Sequence, residues 1–148
     1  MKLEHCHNFH DFRILAKKRL PGPIFNYIDG AAEDEKTYRR NTTSFDNVDL
    51  IPNVLNGTEE IDMSVEVMGQ KLNLPIYCSP TALQRLFHFQ GEDGVAEVAS
   101  EFGTMFGVSS LGTTSLVSLR KKYKTPQCYQ FYFHKDRGLN RSMLDSAK

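Results

Sequence analysis

Three short stretches carry the residue types from which a ligand site could be built: Pro80-Thr81-Ala82, Ser109-Ser110-Leu111 and Gln130-Phe131-Tyr132. Each closes an apolar run. Small residues at 80–82 let main-chain groups approach something flat, and hydroxyls and a carboxamide on neighbouring elements can hydrogen-bond its polar edge. Tyr132 adds an apolar body with a polar tip, although taken singly it reads as a half-buried packing residue. Ser-Ser after a strand is likewise ordinary loop chemistry when it stands alone. Other chemistries find no support. There is no G-x-x-x-x-G-K phosphate loop and no G-x-G-x-x-G. Cys6, His7 and His10 lie close together, but their spacing matches no zinc pattern and no second cluster completes it, so no metal is assigned. No Ser-His-Asp or Cys-His arrangement can be assembled, and His88 reads as a surface residue of a turn.

What could bring the three stretches together is a strand–helix rhythm. An apolar strand at 74–79 leads to a helix at about 91–102, with Val95, Val98, Ala99 and Phe102 as its stripe and Glu92 and Asp93 complementing its dipole. A second strand at 104–109 leads to a helix whose apolar face is Leu116, Leu119 and Tyr123. A third at 127–133 leads to a further helix that runs to the end. Such alternation predicts a parallel sheet with helices outside it. Ligands of parallel α/β folds meet the carboxyl ends of the strands, where all three stretches fall. Periodicity alone does not choose between an open doubly wound sheet and a barrel.

The preceding residues read differently. "NFHDFRILAKKRL" at 8–20 is an amphipathic helix with Asn8 as N-cap and Pro21 as stop. A short helix in "PGPIFNYIDGAAEDE" and another in "EDEKTYRRN" follow, the second with Glu35 four residues before Arg39. Ile61, Met63, Val65 and Val67 then alternate as a half-buried strand, and Met68-Gly69-Gln70 is a hairpin turn.

Composition excludes several classes. Lys plus Arg balances Asp plus Glu at 18 each in 148 residues, so no overall field favours nucleic acid. Lys17-Lys18-Arg19 and Arg120-Lys121-Lys122 fall at helix ends and complement their dipoles. Cys6, Cys78 and Cys128 are too few and too scattered for a disulfide framework, which predicts a reducing compartment. Cys78 and Cys128 read as small core residues. No stretch approaches the ~20 apolar residues of a membrane span, and the start lacks a signal-peptide core.

Five segments in order carry a resemblance: "LPGPIFNYIDGAAEDEKTYRRN" at 20–41, "IDMSVEVMGQKLNLPIYCSPTAL" at 61–83, "GE" at 91–92, "GVSSLGTTS" at 107–115 and "YQFYFHKDRG" at 129–138. The chain resembles the amino-terminal part of the FMN-dependent 2-hydroxy-acid oxidases and dehydrogenases, a family that includes L-lactate dehydrogenase and glycolate oxidase. That resemblance implies an α/β fold, the first three βα units of a TIM (β/α)₈ barrel, at 74–148, after an N-terminal segment of helices and a hairpin at 1–73. It implies FMN as cofactor, with Pro80, Thr81, Ala82, Ser109 and Gln130 binding it. It implies Tyr27, Ala82, Leu111 and Tyr132 around the substrate, with Tyr132 facing the substrate hydroxyl as the catalytic residue. Leu111 stands where the glycolate oxidases carry tryptophan, which leans toward lactate or a bulkier acid. The substrate expected is an (S)-2-hydroxy acid, oxidised to the 2-keto acid, and the electron acceptor is oxygen, a quinone or a cytochrome. The family's base histidine, carboxylate-binding arginine and phosphate loops would follow residue 148. The alternative expectation is therefore an inactive truncated fragment. A homo-oligomer in the cytoplasm is expected for the full-length protein, with peripheral association at the inner membrane face as the alternative.

Overall fold

The computed structural model describes residues 2–57 and 59–148, and the chain divides into two compact units, Met1–Glu59 and Glu60–Lys148. The boundary falls before the hairpin, which belongs with the second unit.

The first unit is helical. After a 3-10 turn at Leu3–His5, α1 (Phe9–Arg19) begins at Asn8, whose side chain accepts the Asp11 N–H at 3.0 Å. Asp11 in turn accepts the His7 N–H at 3.0 Å, so two donors at the helix start are satisfied reciprocally. Pro21 ends α1, and α2 (Gly22–Asp29) starts with Pro23 in its first turn, where a missing N–H costs nothing. Arg13 on α1 grips the Asp29 carboxylate with both arms, Nε to Oδ1 at 2.5 Å and a terminal nitrogen to Oδ2 at 2.9 Å. Leu15 and Phe25 form the buried pair of this unit. α3 (Lys36–Thr43) follows, with Glu35 and Arg39 4.0 Å apart, and continues into a 3-10 turn at Ser44–Asn47.

The second unit opens with a hairpin of β1 (Val65–Val67) and β2 (Gln70–Leu72), paired Val65↔Leu72 and Val67↔Gln70. Met68 and Gly69 both have positive φ, 52° and 72°, which is the I′ turn that matches strand twist. The strand expected from Ile61 onward is shorter than its alternation predicts, and Ile61 and Met63 are exposed. Alternation supplies a face but no partner. β2 ends at Leu72, because the Asn73 N–H turns away to the Gly103 carbonyl at 2.9 Å.

A parallel sheet follows. β3 (Phe106–Ser109) pairs with β4 (Gln127–Gln130) in the register Phe106↔Gln127 to Ser109↔Gln130. The strand expected at 74–79 is only a parallel bridge, Cys78↔Phe106, made by Cys78 N–H to Met105 O at 3.0 Å and Gly107 N–H to Cys78 O at 2.7 Å. Pro75 and Pro80 bracket it without N–H groups to extend the ladder. The segment nevertheless runs beside β3. A Cβ on Gly107 would sit 2.6 Å from Pro80 Cδ and 2.8 Å from its nitrogen, so only glycine admits this approach.

Helices cover the sheet. α4 (Glu92–Glu101) and α5 (Leu116–Lys122) bring Ala96, Ala99 and Leu119 against Phe106 and Val108, with Cys78, Val95, Leu116 and Tyr123 half-buried around them. The α4 stripe differs from expectation. Val98 and Phe102 face solvent, and the buried line is Glu92, Ala96 and Ala99, at spacings of four and three. Alanines let the helix approach the strands closely, which larger side chains on that line would prevent. β4 stops at Gln130 instead of 133, because the ladder ends with the Ser110 N–H on the Gln130 carbonyl at 2.9 Å. α6 (Arg137–Ala147) begins at Asp136, which accepts the N–H groups of Gly138 and Leu139. Among the described residues no helix is long and apolar enough to cross a membrane.

Candidate functional site

Parallel order fixes direction. With 76–78, β3 and β4 side by side and parallel, residues 79–82, 109–111 and 130–132 emerge at one end of the sheet. The expected residues Ser109 and Gln130 meet directly. Ser109 Oγ donates to Gln130 Oε1 at 3.1 Å and accepts the Leu111 N–H at 3.1 Å. This pattern orients the carboxamide: its oxygen accepts from Ser109, and its nitrogen is turned away from that bond. Beside them, Ser110 Oγ is buried with no hydrogen-bond partner among the described residues.

The 80–82 stretch is tied to the same end by main-chain bonds. The Leu83 N–H donates to the Leu111 carbonyl at 3.1 Å, and Gln84 Nε2 donates to the Thr81 carbonyl at 3.3 Å. Thr81 and Ala82 are half-buried and Pro80 is exposed against Gly107. Leu111 is 46% exposed and Tyr132, two residues beyond β4, is 55% exposed. Tyr27 lies on α2 of the first unit and is 61% exposed. The main chain at His134 is fixed by Asn140, whose side chain accepts the His134 N–H at 2.9 Å and donates to its carbonyl at 2.8 Å.

Sequence reasoning missed the residue that organises these loops. Glu92 is fully buried at the start of α4. It accepts the Thr113 N–H at 2.7 Å, the Thr113 hydroxyl at 2.5 Å and the Gln84 N–H at 3.4 Å. Burial pushes its pKa up, but the Thr113 hydroxyl and these N–H groups outweigh burial and hold it below the ordinary glutamate value. The signal was available: Glu92 shares one helical face with Ala96 and Ala99, so the face that buries the alanines buries it too. Its neighbour Asp93 accepts from Lys122 at 2.8 Å, Arg85 at 3.3 Å, the Tyr123 hydroxyl at 3.3 Å and the Thr114 hydroxyl at 3.5 Å. The Lys122 hydrogen bond leads in lowering its pKa, against partial burial. Burial alone pushes the Cys78 thiol above its ordinary pKa.

Known proteins resemble this chain in sequence and in fold. The family model described as FMN-dependent dehydrogenase matches residues 16–148. The L-lactate dehydrogenase of Alcaligenes faecalis is 36% identical over 138 residues, covering 93% of this chain and 36% of that protein. Glycolate oxidase 1 of Oryza sativa subsp. indica is 33% identical over 141 residues, covering 95% of this chain and 38% of that protein. Among solved structures, a lactate oxidase from Pediococcus acidilactici superposes with a TM-score of 0.85 at 31% identity, covering 96% of this chain and 40% of that one. The chain thus spans little more than a third of the curated relatives that it matches.

Proposed function

The chain belongs to the FMN-dependent dehydrogenase family, and from that footing we propose that it supplies one side of a flavin site in an enzyme oxidising a lactate-like (S)-2-hydroxy acid to the 2-keto acid. The observation that carries this reading is the Ser109–Gln130 hydrogen bond, because it turns the carboxamide N–H₂ away from Ser109 at the carboxyl end of β4. A donor so oriented suits the pyrimidine edge of a flavin, which gains negative charge on reduction. When bound, FMN supplies the two-electron acceptor for this chemistry.

The other roles are assigned to this chain's own atoms. Main-chain groups of Pro80, Thr81 and Ala82 line the ring, a role supported by their place at the same end of the parallel sheet as Ser109 and Gln130. Ser109 acts on the ring through Gln130, since its proton is already donated to that amide. Tyr132 orients the substrate hydroxyl or the forming carbonyl, and its exposure beyond β4 leaves the phenol free to meet substrate. Tyr27 takes the substrate carboxylate, while Ala82 and Leu111 border the substrate's side chain. The architecture is the first three βα units of a (β/α)₈ barrel, and the free thiols at Cys6, Cys78 and Cys128 support a reducing, cytoplasmic setting.

Replacing Tyr132 with Phe in protein expressed from the full reading frame tests this assignment. Lactate-dependent dye reduction should slow about 10²-fold, the scale for losing one oriented donor, with flavin content unchanged. An unaltered rate removes Tyr132 from the site.

A further inference from the structure

Resting on the flavin reading above, we infer that Glu92 is a positioning residue for that site: its buried carboxylate fixes the turn after Thr81 and the turn after Ser109 to each other and to the start of α4. Glu92 is 0% exposed and forms no ion pair among the described residues. Everything it holds is a neutral donor, two main-chain N–H groups and one hydroxyl, from two different loops. Contacts run outward from it in both directions. Gln84 carries the line to the Thr81 carbonyl, and Leu83 to the Leu111 carbonyl. Leu111 then bonds Ser109, and Ser109 bonds Gln130. The carboxylate is thus joined by hydrogen bonds to the segments that carry the residues assigned to the ring.

Its charge strengthens what it holds. Both main-chain N–H groups bond Oε1 and the Thr113 hydroxyl bonds Oε2, and a charged acceptor makes each of these bonds stronger than a neutral one would. Burying that charge is costly unless its hydrogen bonds are complete, and weakening it loosens the hold on the Gln84 and Thr113 N–H groups. Asp93 repeats the pattern one residue on. Glu92 takes residues 84 and 113, and Asp93 takes residues 85 and 114. Consecutive acids thus grip consecutive residues of each loop, which fixes the two loops in register as well as in distance.

The test compares Glu92→Gln and Thr113→Val with wild type in protein expressed from the full reading frame. Three quantities are read: amide hydrogen exchange at Gln84 and Thr113, FMN dissociation constant by flavin fluorescence, and thermal midpoint. Glu92→Gln should speed exchange at both amides and weaken FMN about tenfold, as expected for a small displacement of groups that must be held in place. Thr113→Val changes an exposed residue with little change of volume, so it should shift both readouts the same way with the thermal midpoint retained. It decides the matter if Glu92→Gln does not fold. Wild-type exchange at both amides in Thr113→Val overturns the inference, as does faster exchange with unaltered flavin affinity. A wild-type protein that takes up no FMN overturns the flavin reading as well, and the wild-type titration separates that failure from failure of the clasp alone.

Discussion

A single hydroxyl decides how Gln130 can be used. Ser109 Oγ donates to Gln130 Oε1, a bond of about 1 kcal/mol net that turns the carboxamide oxygen toward Ser109 and its nitrogen away. The pair is an example of two polar side chains that define each other's orientation, and the neighbouring Leu111 N–H completes the set on Ser109. Leu111 is thereby pinned through both its N–H and its carbonyl, while its side chain remains 46% exposed. A pinned backbone with an open side chain is suited to discrimination by size. Under the proposed function, Leu111→Trp in protein expressed from the full reading frame should therefore lower kcat/KM for hydroxy acids bulkier than lactate, by about 10- to 100-fold for each extra one or two methylenes. Glycolate should suffer least. An unchanged ranking of substrates would mean that the side chain faces elsewhere. Asp29 makes a related point in the first unit. The sequence offered it no role, and the structure gives it Arg13 as a bidentate partner that leads in holding its carboxyl below the usual aspartate value.

Among the elements, the bridge segment that precedes α4 is the most informative. Residues 76–78 make only a bridge to β3, yet they define the edge on which Pro80-Thr81-Ala82 is presented. Its position depends on the absence of a side chain at Gly107, where a Cβ would meet Pro80 and the Cys78 carbonyl at 2.6 to 3.1 Å. Those are backbone and ring atoms that cannot swing aside. Gly107→Ala should therefore destabilise the fold by about 1–3 kcal/mol, the range for overpacking, and should be read as a lower urea midpoint with an unchanged slope. It should also weaken flavin binding, because the displaced segment is the one assigned to the ring. A midpoint equal to wild type would show that Pro80 does not lie against β3. α4 teaches the complementary lesson. Its buried line contains a carboxylate, so the helix contributes an anchor for two loops as well as an apolar face.

On the scale of the molecule, β4 pairs only with β3 among the described residues, so its outer edge presents free N–H and carbonyl groups. The 148-residue chain by itself should purify without yellow colour, show no lactate-dependent dye reduction, and elute as self-associated species in gel filtration. Stoichiometric flavin with turnover would overturn this expectation. The alternation of apolar runs and helical periods determined, from sequence alone, that strands and helices alternate after residue 74, that α1 is capped by Asn8, and that Leu116, Leu119 and Tyr123 face inward. These are local properties, set by spacing within one element. Five ordered segments likewise carried the family. The sequence could not say that the first strand would shrink to a bridge, that Val98 and Phe102 would face solvent, or that Glu92 would be buried with three donors around it. Each of those depends on which distant segment packs alongside. Hydrogen bonds between Ser109 and Gln130, or between Glu92 and Thr113, join residues 21 positions apart, and only the folded chain brings such partners within reach.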